Sequence, residues 1–134
     1  MLSRPWAKRA RAAPDAAGVA SEFAGTLTAS AQRAAGLVLA ALDAARLDPD
    51  IAAVAAQLTR QREIMAGWLV DELTARAPLR PGIDRAEAID TVWLLMDPAV
   101  FIRLTGQRKW HATRFRAWFT DAVTRLLLDP GRVH

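Results

Sequence analysis

Apolar residues in the C-terminal third recur at helical spacing on more than one side of the chain. After Asp84, Ile89, Val92, Trp93 and Met96 share one face, while Ala88 and Leu95 lie on the other. Asp84 with Glu87 three residues on is an acidic form of the capping box, which satisfies free N–H groups at a helix start. Asp97-Pro98 ends this helix, because the residue before a proline is pushed out of the helical region. A short helical segment around Pro98–Leu104 and a turn near Gly106 follow. The last helix is predicted from about Ala112 to Leu128, with Phe115, Trp118, Phe119, Ala122, Val123 and Leu126 as its stripe. These two helices carry more apolar surface than one small domain hides, so the pattern predicts a dimerisation surface.

Upstream, the pattern predicts a helix from a cap at Asp15, with Val19, Phe23 and Leu27 on one side. A break is expected near Thr28–Ser30, where hydroxyls compete for backbone hydrogen bonds. Ala31–Arg46 is the next helix, with Leu37, Val38, Ala41 and Leu42 inward. Leu47-Asp48-Pro49-Asp50 is a turn, and a long helix runs from Asp50 to Arg76, its stripe passing through Ile51, Val54, Ala55, Leu58, Met65, Leu69 and Leu73. Ala77–Gly82, with Pro78 and Pro81, is a rigid linker. Gly25 and Gly36 cost stability inside helices unless they permit close packing.

Composition narrows this picture to one class. The chain has 134 residues and is 52% hydrophobic but only 7% aromatic, so alanine and leucine dominate. That length suits one domain burying about two-thirds of its unfolded surface. No alternating strand pattern is present. The expected fold is all-α, a bundle of about five helices, with residues 15–129 as the domain, 1–14 as a flexible basic arm and 130–134 as a tail.

Charge and candidate chemistry add little. The formal net charge is +4, and Arg4, Lys8, Arg9 and Arg11 concentrate the excess in the first eleven residues. Such an arm suits a solvated end, or weak non-specific contact with nucleic acid. The longest uncharged run, Phe23 to Gln32, has ten residues, far short of the ~20 a membrane span needs. No membrane association and a cytoplasmic setting are expected. Without cysteine, thiolate zinc sites, disulfides and cysteine catalysis are excluded. His111 and His134 form no local metal pair, Ser3, Ser21 and Ser30 lie in no nucleophile elbow, and no glycine-rich phosphate loop occurs. No enzyme, metal or cofactor is expected.

The C-terminal residues also carry a likeness. Leu79-Arg-Pro-Gly-Ile-Asp84, Ala88-Ile-Asp-Thr-Val-Trp93, Asp97-Pro-Ala-Val-Phe-Ile-Arg-Leu104, Trp110 and Arg114-Phe-Arg-Ala-Trp-Phe119 follow one another in an order and spacing that resembles the C-terminal regulatory domain of TetR-type transcription regulators. The resemblance runs from about Asp48 to Asp129. It departs at His111-Ala112-Thr113, where that family commonly has Ser-Pro-Glu. It implies a homodimer in which the last two helices of each copy form a four-helix bundle, with Ile89, Trp93, Phe119, Val123 and Leu126 at the seam. It also implies a cavity between the central helices for a small apolar or amphipathic ligand.

Leu58, Arg62, Met65 and Trp68 are the candidate pocket residues. Arg62 falls on the apolar side of its helix. Either its stem follows the core edge while its head reaches water or an acid such as Asp71 or Glu72, or it lines the cavity. Met65 and Trp68 are pocket wall or core.

The family's DNA-reading head has no counterpart. An echo of its helix-turn-helix in Ala17-Gly18-Val19-Ala20-Ser21 and Gly25-Thr26-Leu27 has a spacing of four between serine and glycine, where the family has two. The chain alone is therefore expected to read no DNA sequence. The resemblance suggests a truncated product, a miscalled start, or a partner in mixed dimers with a full-length relative. A free-standing helical carrier or sink for small molecules is the alternative, and a weak nucleic-acid binder acting through the arm is another.

Overall fold

The computed structural model describes residues 4–131. Residues 1–3 of the expected arm and 132–134 of the expected tail, His134 included, lie outside the described residues. Among those described, the chain is all-helical: α1 (Pro5–Ala12), α2 (Ala16–Ala44), α3 (Pro49–Thr74), α4 (Arg85–Leu95), α5 (Pro98–Ile102) and α6 (Ala112–Leu127), with a π-turn at Arg103–Gln107 between the last two.

Helix α1 replaces most of the expected flexible arm. Pro5 occupies its first turn, where a missing N–H costs nothing. Trp6, Ala7 and Ala10 are buried against α2, which leaves Lys8, Arg9 and Arg11 on the outer side. The Arg76 guanidinium fastens this helix from the end of α3. It donates to the carbonyls of Ala13 (2.9 Å) and Arg11 (2.8 Å) and to Glu72 on its own helix.

Asp15 caps α2 by accepting from the Gly18 N–H at 2.7 Å. The break expected at Thr28–Ser30 does not occur. The buried Thr28 hydroxyl donates to the Ala24 carbonyl at 2.7 Å, a bond made inside the helix that lets it continue. Of the residues expected inward on this stretch, Val38, Ala41 and Leu42 are half-buried, whereas Leu37 points to solvent at 76% exposure. Gly25 permits a close approach. The Arg116 guanidinium of α6 crosses over it, donating to the Ser21 carbonyl, and a Cβ there would lie 2.9 Å from Arg116 Cζ. Gly36 meets nothing comparable.

Each remaining helix start is fixed by its sequence. Asp48 accepts from the Asp50 and Ile51 N–H groups, so α3 begins at Pro49, one residue before the expected start. Asp84 accepts from Glu87 N–H and Asp97 from Ala99 N–H. His111 takes the capping place before α6, its Nδ1 accepting from Thr113 N–H at 3.2 Å. The linker turns at Gly82, whose φ of 88° favours glycine, and is stitched to the end of α6 through Arg80 N–H to Leu127 O and Asp129 N–H to Pro78 O.

Helix α2 is the axis, touching α1, α3, α5 and α6. An aromatic chain runs through the core. Trp6 meets Trp68 edge-on at 5.2 Å, Phe23 stacks near both Trp68 and Phe119, and Phe115 joins Phe119 to Phe101. Such pairs add about 0.5–1.5 kcal/mol each beyond the area they bury. Packing is densest where α1, α6 and the second half of α3 meet α2. It thins toward the α2–α3 turn, where Leu47 is 91% exposed and Val54, expected inward, is half in solvent.

Candidate functional site

Where α2 and α3 diverge, a cavity of about 480 Å³ opens between them. Its walls are apolar side chains at helical spacing: Phe23, Leu27, Val38 and Leu42 from α2, Leu58 and Met65 from α3, and Met96 and Pro98 from the α4–α5 junction. Trp6 and Arg4 close one end. A smaller chamber of about 100 Å³ adjoins it, sharing Leu27, Val38, Met96 and Pro98 and reaching Phe101 and Phe115. Small residues make that chamber: Ala31, Ala34 and Ala35 leave room where larger side chains would fill it.

Of the four candidate pocket residues, Leu58, Arg62 and Met65 lie in the wall of this cavity. Trp68 lies outside it. It lies against Trp6 and Phe23 on its inner side and faces an outer groove between α3 and α4 on the other. The α2 wall and Trp6 were not legible as pocket residues, because apolar side chains at helical spacing look the same whether they face a core or a cavity.

Arg4, Thr26, Ser30, Arg33, Thr59, Gln61 and Arg62 are the polar residues of the cavity wall, and Arg62 has only 14% of its side chain exposed. Its acid is neither Asp71 nor Glu72. Asp71 binds Arg85 through two hydrogen bonds and Glu72 binds Arg76. Arg62 instead faces Asp97, with Nη2 3.8 Å from the nearer carboxylate oxygen, an ion pair too long to be a hydrogen bond. The other Asp97 oxygen caps α5. The guanidinium lies over the Trp93 ring, 4.1 Å from its centre. Stacking uses the face of a guanidinium and leaves its N–H edge for an acceptor. The Arg62 Nε–H is buried without one, as is the Trp93 indole N–H. Desolvation by burial pulls the Arg62 pKa below the ordinary arginine value, while the Asp97 and Glu63 carboxylates act in the opposite sense. A buried donor left unpaired costs about 1–3 kcal/mol.

The residues expected at a dimer seam do not share one face. Phe119 and Val123 are fully buried within the chain, Phe119 stacking on Phe23 6.0 Å away. They are core, because α6 turns its aromatic stripe toward α2 and not outward. Leu126 is 49% exposed, and Ile89 and Trp93 are half-buried. Leu94, outside the expected set, is 59% exposed.

No group of three potential metal-ligating His, Asp or Glu side chains exists among the described residues, and no described helix is long and apolar enough to cross a membrane. No protein-family model, curated protein or solved structure matches the chain.

Proposed function

We propose that this chain is a small-molecule-binding helical domain of the kind TetR-type regulators carry after their DNA-reading head. The observation that carries the reading is the cavity between α2 and α3, with a largely apolar wall and the buried, poorly paired Arg62 at its side. A volume of about 480 Å³ falls in the ~300–1,000 Å³ range of ligand sites, which are mostly apolar with a few placed polar groups. The order of motifs from Asp48 to Asp129 supports the regulatory assignment. The exposed Leu94 and Leu126 support pairing of two copies through the outer sides of α4 and α6, with Phe119 and Val123 behind that surface as core.

Calorimetric titration with decan-1-ol, a neutral apolar probe, tests the cavity. Binding that is lost when Leu58→Trp fills the space, in a protein that keeps its helical circular dichroism, supports the reading. Absence of binding by this probe and by its carboxylate and ammonium counterparts removes it. A regulatory module further requires that the probe change the distance between spin labels on the two copies of a dimer. A carrier using the same cavity binds the probe with that distance unchanged.

A further inference from the structure

We propose that the cavity selects an amphipathic organic anion, a monocarboxylate with an apolar body, whose head displaces Asp97 from Arg62 and whose tail enters the chamber beside Phe101 and Phe115. This rests on the reading of the cavity as a ligand site and adds its chemical class. Charge is the first argument. Among the described residues lining the cavity are Arg4, Arg33 and Arg62, and neither aspartate nor glutamate. Low-dielectric walls bearing one sign of charge concentrate ligands of the opposite sign.

Geometry is the second argument. Arg62 Cζ lies 4.1 Å from the centre of the Trp93 ring, so the guanidinium is positioned by that contact before any ligand arrives. Its Nε–H has no acceptor, and its ion pair with Asp97 is long at 3.8 Å, while the other Asp97 oxygen accepts from the Ala99 N–H. A carboxylate accepting from Nε and Nη2 together satisfies the fork in the bidentate arrangement that guanidinium groups favour. The head group replaces a poor partner with a good one. Asp97 keeps its place as the cap of α5.

The body of the ligand follows from the rest of the wall. Beyond Arg62, the cavity presents Leu58, Met65, Met96 and Val38 beside a few hydroxyl and amide groups, then the alanine-lined chamber, where Ser30 is the one polar lining residue. An unbranched or aryl chain fits that chamber, whereas a sugar or nucleotide reaching into it leaves most of its hydroxyl groups against apolar side chains at a desolvation cost.

The test uses the full chain and three probes of one chain length, decanoate, decan-1-ol and decylammonium, each titrated calorimetrically below its aggregation concentration. Decanoate should bind about tenfold or more tighter than the alcohol, as for a hydrogen-bonded charge pair, and decylammonium weakest. Arg62→Met should bring decanoate down to the level of the alcohol while leaving the alcohol unchanged. Asp97→Asn, which retains a capping side chain, should tighten decanoate by removing its competitor, and provides the answer if Arg62→Met does not fold. Equal binding of acid and alcohol to the wild-type chain overturns the anion assignment and leaves the cavity reading standing. So does a decanoate preference that survives Arg62→Met, or one that does not rise in Asp97→Asn. Failure of all three probes removes both readings.

Discussion

The Arg62 guanidinium rests on the Trp93 ring, 4.1 Å from its centre, and so joins α3 to α4 at the side of the cavity. Sequence patterning assigns these two residues to different surfaces, one to a pocket and the other to a dimer seam. In the folded chain each is part of the other's environment. A ligand that draws on Arg62 therefore acts on the half-buried ring of α4 as well.

That relationship sets the outcome of changing Arg62. Replacing a whole buried ion pair by apolar groups is often neutral or stabilising, whereas removing one partner strands the other. Here the Asp97 carboxylate left behind is 28% exposed and still accepts from the Ala99 N–H, so little is stranded. Arg62→Met should leave the thermal midpoint unchanged or raised. Asp97→Ala should lower stability by roughly 1–3 kcal/mol, since it removes a helix cap and strands the charge. Denaturant melts of the two variants check the contrast, and a large loss in Arg62→Met contradicts it.

Phe119 and Leu126 lie two turns apart on α6 but have opposite roles. Phe119→Ala should cost about 3–5 kcal/mol, as expected for an aromatic removed from a packed core. Leu126→Glu should leave stability within about 0.5 kcal/mol, as at an exposed position, and shift any dimer toward monomer in sedimentation. A fully folded Phe119→Ala protein with unchanged stability is incompatible with this packing.

Arg76→Ala removes the guanidinium that holds the carbonyls of Arg11 and Ala13. Amide hydrogens of residues 5–12 should then exchange faster, by a factor of ten or more for about 1.5 kcal/mol of lost bonding. Exchange in the middle of α6 should remain slow. Uniform acceleration along the chain indicates global destabilisation and not release of α1.

The paired hydrogen bonds from Arg85 hold the Asp71 carboxyl below its ordinary range. A depressed carboxylate favours the folded state above its unfolded pKa, ~3.9 for Asp, and that contribution disappears as acid protonates the folded group. Stability should thus decline as pH falls through and below the ordinary aspartate range, and Asp71→Asn should flatten this decline. Both groups are well exposed, so the effect is small and shrinks further in high salt.

Local rules rendered much of this fold legible. The caps at Asp15 and Asp84, the stop at Asp97-Pro98 and the limits of α6 follow from side chains that act on the next few residues. The continuity of α2 was not visible, because the Thr28 hydroxyl can either leave the helix or bond within it, and only tertiary packing decides. A tryptophan in a basic arm, Trp6, is a candidate to dock on the domain, and its partners, Phe23 and Trp68, lie far along the chain. At the site, Arg62 stood out because a cation interrupts an apolar stripe. Its true partner, Asp97, did not, since a residue that ends one helix carries no local sign of which other helix it faces. The inward turn of Phe119 was missed for a similar reason: a stripe defines a face but not what covers it.

An uninterrupted α2 of 29 residues is a rod about 43 Å long. It borders the cavity from Phe23 to Leu42 and packs against α6. A stiff rod cannot bend to absorb a guest locally. Phe23 and Leu42, both in the cavity wall, are thereby held about 28 Å apart along one axis. The span of that wall is set by a backbone ruler and not by the side chains that line it.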